Sequence, residues 1–197
     1  MTTATLPAPA MTTTRTGDTD NLATYVSFGL AYVLGHGAAA LGKGDNPLVA
    51  MPGWLPMAIL GTGLAAGTVV ATVAAGRAQR GAGRSDQLAG KLLGLAWVVA
   101  FVALFLAITG LSSTLDAPEL QTVLWPAGSG LVVGLLYFAE GAVRRNVLHY
   151  GLGVWLTLVS SAGLFFGSPG LFWVLAIAGG GGYAVAAILE CRRLATR

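Results

Sequence analysis

Polar residues are what this chain has least of. Of its 197 residues, 10% are charged and 55% are hydrophobic, too little polar material to cover a soluble domain. Cysteine occurs once, at Cys191, which excludes an intramolecular disulfide and a cysteine-based metal site. The only histidines are His36 and His149. There is no HExxH, no Walker-type glycine loop, no Ser/His/Asp set within the apolar stretches and no carboxylate pair inside one of them. The sequence therefore reads as a non-enzyme with no catalytic residue, no metal and no cofactor. Its basic excess follows a different pattern from a nucleic-acid footprint, so no nucleic-acid partner is expected.

What the chain does have is apolar length. Six stretches, 22–41, 54–76, 88–111, 122–143, 147–167 and 171–189, are each long enough to cross about 30 Å of hydrocarbon as a helix. None alternates like a barrel strand, and helices satisfy their own backbone groups in lipid. The expected fold is all-α: a polytopic bundle of six transmembrane helices over residues 21–191. A disordered tail, 1–20, precedes it and a short basic tail, 192–197, follows. Ala38-Ala39-Ala40 resembles a signal-peptidase site, but Asp18 and Asp20 offset Arg15, so the run before it reads as the first span.

Basic residues fall in every second gap. Arg15 comes first, then Arg77, Arg80, Arg84 and Lys91, then Arg144 and Arg145, and finally Arg192, Arg193 and Arg197. Lys43 alone lies in the other set of gaps, with Asp45, Asp116 and Glu119. By the positive-inside rule both termini are cytoplasmic. Trp54, Trp125 and Trp173, near Pro56, Pro126 and Pro169, mark the outer edge, where a proline fits the first helical turn.

Three features could carry function. Gly179, Gly180, Gly181 and Gly182 sit in the sixth stretch, and each glycine costs roughly 1 kcal/mol against alanine in an aqueous helix. They read either as close helix packing, the more ordinary case, or as a hinge or unwound segment on a pathway. The pairs Gly63–Gly67, Gly130–Gly134 and Gly163–Gly167 have GxxxG spacing and read as packing. His36 is the only ionisable side chain well inside a stretch, roughly 21 Å from its inner end at 1.5 Å per residue. It is a candidate for a pathway or ligand contact, or else an ordinary neutral imidazole. His149 begins the fifth stretch at the opposite face, too far away for both to ligate one haem. Glu140, one turn before Arg144, forms a favourable acid-first pair. With His149 and Tyr150 it could line a cytoplasmic vestibule. Glu190, with Arg192 and Arg193, reads as a helix-end ion pair.

The first span at 21–41, the Gly53-Trp54-Leu55-Pro56 and Leu124-Trp125-Pro126-Ala127-Gly128 segments and the turn at 140–145 together resemble a known type of protein. These are the small six-span membrane proteins of high-GC Gram-positive bacteria, often described as ABC-transporter permeases. Nine arginines against two lysines fit such a genome. The resemblance implies a bacterial plasma membrane and a lipid bilayer as surroundings. It also implies a homo-oligomer or a partner membrane or ATPase subunit, and it assigns no site residue. Side chains available to a route are mostly hydroxyls, such as Thr62, Thr68, Thr72, Ser129, Thr157 and Ser160. The expected function is thus permease-like handling of an apolar or amphipathic small molecule. The alternative is a non-transporting accessory or regulatory protein that binds another membrane protein.

Cys191 provides a native test of topology. A membrane-impermeant thiol reagent should label it only after cells are permeabilised; labelling of intact cells would reverse the orientation.

Overall fold

A computed structural model describes residues 20–80 and 82–196. The expected disordered tail, apart from Asp20, lies outside the described residues, as do Arg15 and Arg197. Helix is the only regular structure among the described residues. α1 (Leu22–Ala31) runs through a π-helical turn, Tyr32–His36, into α2 (Gly37–Gly42). After a loop come α3 (Leu55–Gln79), α4 (Arg84–Thr114) and α5 (Leu120–Arg144). The chain ends with α6 (Val147–Gly163), α7 (Gly167–Val174), a second π-helical turn at Leu175–Gly179, and α8 (Gly180–Ala195).

Among the described residues, the helices long and apolar enough to cross a membrane number five, not the expected six. They are Leu22–Gly42, Leu55–Gln79, Arg84–Thr114, Leu120–Arg144 and one 49-residue helical run, Val147–Ala195. The stretches 147–167 and 171–189 merge because no loop separates them. The run is nevertheless broken inside. Gly167 has φ +57°, a conformation that favours glycine, and Ser168 is extended at φ −95°, ψ 135°, as residues before proline tend to be. The two arms touch: Trp155 Nε1 donates to the Ala178 carbonyl at 2.8 Å. A Cβ on Gly163 would come 2.6 Å from Leu171 Cδ1.

Other boundaries also shift. α5 begins at Leu120, so Pro126 lies inside the helix rather than in its first turn, whereas Pro56 keeps its place at the start of α3.

The tightest packing joins α5 to α6. A Cβ on Gly134 would meet Thr157 N at 2.5 Å, and at Gly141 and Gly153 it would run into the backbones of Tyr150 and Phe138. Arg145, at φ +54°, turns the chain. Asn146 then caps α6 by accepting from His149 N at 3.0 Å. Gly63 and Gly67 bring α3 against Ala31 and Phe28 of α1. The expected packing role of the small residues is seen at these places. The central core gathers Tyr25, Tyr32, Tyr137, Tyr183, Leu156 and Leu171.

α3 rests mainly on α1, and α4 on α5, while α3 and α4 barely touch each other. Val69 and Val73 on α3, and Leu92, Val98, Val99 and Val102 on α4, are exposed. So much uncovered apolar surface marks a membrane or a protein partner.

Neighbouring glycines of α6 test the packing. Gly153→Ala should lower stability by about 1–3 kcal/mol through overpacking against backbone. Gly151→Ala, where an added Cβ meets nothing within 4 Å, should leave stability unchanged or slightly raised. Thermal unfolding of the purified protein compares the two.

Candidate functional site

Helices that hardly touch leave a gap, and here it is a cavity of about 380 Å³. Its sides are small or aromatic: Ala71 and Ala75 of α3, Gly94 and Trp97 of α4, and Phe28 of α1. Its floor is polar, made by Thr24, Glu140, Arg144 and His149, with the Tyr137 ring beside them. Thr68 and Thr72 also line it, and their hydroxyls donate to carbonyls one turn back, at 2.8 Å each.

The polar floor is built by the α5–α6 turn. Glu140 and Arg144 lie one helical turn apart, with Arg144 Nε 2.8 Å from Glu140 Oε1. The short turn then brings His149 back over them, its Nε2 3.7 Å from Glu140 Oε2. On its other side, His149 Nδ1 is 2.9 Å from the Tyr25 hydroxyl in a buried hydrogen bond. The Tyr137 ring packs on the imidazole with centroids 4.2 Å apart. Three buried polar atoms here have no hydrogen-bond partner, Thr24 Oγ1, His149 Nε2 and Arg144 Nε, although the last is ion-paired with Glu140. Buried polar atoms are normally paired, so this floor holds unused hydrogen-bonding capacity.

The same end holds a second buried carboxylate. Glu190 is fully buried; it accepts from Asn21 N at 3.0 Å and pairs with Arg193 Nη2 at 2.6 Å. The start of α1 and the end of α8 thus meet, beside the helix ends that carry Arg77, Arg84 and Arg144.

Of the residues singled out in the sequence, Glu140, Arg144 and His149 lie in this site, with Thr68 and Thr72 on its wall. His36 and the four glycines lie apart from it and close to one another. His36 is buried, packs edge-on against Tyr32 at 5.0 Å and lies 6.2 Å from the Phe172 ring; its Nδ1 has no partner. A Cβ on Gly179 would fall 2.8 Å from Tyr32 Cδ1, on Gly180 2.5 Å from Val33 Cγ2, and on Gly182 2.5 Å from Trp155 Cδ1. At Gly181 it would meet nothing within 4 Å. The two π-helical turns therefore face each other. Tyr150, expected beside His149, packs instead on Phe138 at 4.5 Å.

Sequence reading missed Thr24, Tyr25 and Tyr137. For Tyr137 the available signal was a tyrosine placed within an apolar stretch rather than at its end, where membrane proteins usually keep it; Thr24 and Tyr25, at the start of theirs, gave none. Among the described residues no three His, Cys, Asp or Glu side chains converge as a metal site would require. Comparison with protein-family models, curated proteins and solved structures gives no match.

Tyr25→Phe leaves His149 Nδ1 buried and unpaired, and should cost about 1–3 kcal/mol. Tyr150→Phe, at an exposed ring, should cost almost nothing. Chemical or thermal unfolding of both variants checks the difference.

Proposed function

We propose that this is a multi-pass protein of a bacterial plasma membrane with both termini in the cytoplasm. In this reading the Val147–Ala195 run crosses twice, folding back at Gly167–Pro169, which gives six passes. Two observations support it: the touching arms of that run, and the Asn21–Glu190 bond that joins the first helix to the last. The basic helix ends gather there, as the positive-inside rule requires of a cytoplasmic face.

Within that membrane the protein acts as a permease-like binder of an apolar or amphipathic small molecule, without catalysing a reaction. The cavity carries this reading. It is of the size that small-molecule sites occupy, with an apolar wall, a polar floor, and α3 and α4 parted beside it. A ligand of matching polarity would enter from the bilayer between those two helices. A homo-oligomer or a partner membrane or ATPase subunit would supply energy or gating.

The uncovered length of α4 favours a second reading, an accessory protein that lays this helix against another membrane protein.

Reconstituted vesicles distinguish these readings. A fluorescent lipid-like probe should move faster with the protein than without it. Gly94→Phe, which fills the cavity where an added Cβ meets nothing within 4 Å, should slow that movement about tenfold, as a loss of about 1.4 kcal/mol in binding would. Ion conductance without probe movement would overturn the proposal. No flux of either kind, with a membrane protein copurifying in fixed ratio, would favour the accessory reading.

A further inference from the structure

The polar floor selects a particular kind of head group, and this inference rests on the ligand-binding reading of the cavity. We infer that the site takes a neutral amphiphile whose polar end is a hydroxyl, lodged between His149 and Glu140 with its tail toward α3 and α4.

The argument starts from charge. Glu140 Oε1 already faces Arg144 Nε at 2.8 Å, so the carboxylate and the guanidinium on the floor neutralise each other. An anionic head would meet the Glu140 carboxylate. A cationic head would compete with Arg144. Neither would find a free counter-ion, and burying an unpaired charge is costly. A neutral head avoids both penalties.

Hydrogen-bond geometry narrows the choice further. The Glu140 carboxylate favours a proton on His149 Nε2, and the Tyr25 hydroxyl then donates to Nδ1. A donor and an acceptor therefore stand 3.7 Å apart without bonding directly. A hydroxyl oxygen about 2.8 Å from each would sit just off that gap, accepting from Nε2–H and donating to Glu140 Oε2. An ether or ester oxygen could only accept, and would leave the carboxylate unserved. Thr24 Oγ1, 5% exposed as a residue and unpartnered, adds a second hydroxyl contact on the same floor. The tail then lies between Ala71 and Ala75 on one side and Gly94 on the other, positions whose small side chains leave it room.

The test uses three probes with one twelve-carbon diazirine tail, bearing an alcohol, a carboxylate or an ammonium head. Each is photolysed with the full chain in phosphatidylcholine nanodiscs. Labelling at the cavity segment Leu93–Trp97 is measured relative to exposed Val102, which corrects for partitioning. The alcohol should label the cavity saturably and at the lowest concentration. Thr24→Val removes a hydroxyl that has no partner in the fold, so the variant should fold normally and weaken the alcohol severalfold. Glu140→Gln keeps an acceptor oxygen but removes its charge, and should also weaken the alcohol severalfold. Carboxylate or ammonium labelling ahead of the alcohol would overturn the head-group assignment, as would alcohol labelling indifferent to both variants. Absence of saturable cavity labelling by all three would reject the cavity reading itself.

Discussion

Backbone contact between α5 and α6 is the constraint on which the rest of the molecule depends. Gly134, Gly141 and Gly153 remove the side chains that would hold these helices apart, and the backbones close directly on each other. In lipid no hydrophobic driving force brings helix to helix, so close packing of small residues takes over that role. This contact sets the height of His149 against Tyr137 and the reach from His149 to Glu140. The polar floor is thus a consequence of glycine placement as much as of the ionisable residues themselves.

A second consequence concerns what α5 and α6 leave outside. With α1 and α8 packed together and α5 on α6, the two remaining long helices have unequal shares of the core. α3 leans on α1 and α4 on α5. Between them several lining positions are small, Ala71 and Ala75 on α3 and Gly90 and Gly94 on α4, and this leaves the opening unfilled. The aromatic residues that could fill it, Trp97 and Tyr137, instead pack on each other with ring centroids 5.9 Å apart.

Much of the helical architecture could be read from the sequence, because length and apolarity are local properties. The Glu140–Arg144 pair was legible for the same reason: its spacing is one helical turn. The fold-back at Gly167 was not seen correctly as part of one helical run, since an apolar sequence on both sides of a glycine–proline break does not say whether helix resumes at once. Glu190 was read as a helix-end ion pair, which it does form with Arg193, but its complete burial and its bond to Asn21, 169 positions away, were not foreseen. Such contacts leave no periodicity to detect. In a membrane helix the lipid face and the core face are both apolar, so the pattern that marks the inside of a soluble protein fades. The inward faces of Thr24, Tyr25 and Tyr137 could be recognised only once their neighbours were in place.

The union of Asn21 with Glu190 bears on the order in which the molecule is made. Chains emerge from the ribosome N-terminal end first, so the opening of α1 is synthesised long before the residue that receives its backbone N–H. The α5–α6 hairpin, by contrast, closes across a two-residue turn and can form as soon as it is inserted. The body of α1 can meet α3 early, through Ala31 and Phe28 against Gly63 and Gly67, but Asn21 at its start has to wait for the last helix. Until α8 arrives, the N-terminal end of α1 lacks the buried carboxylate that fastens it.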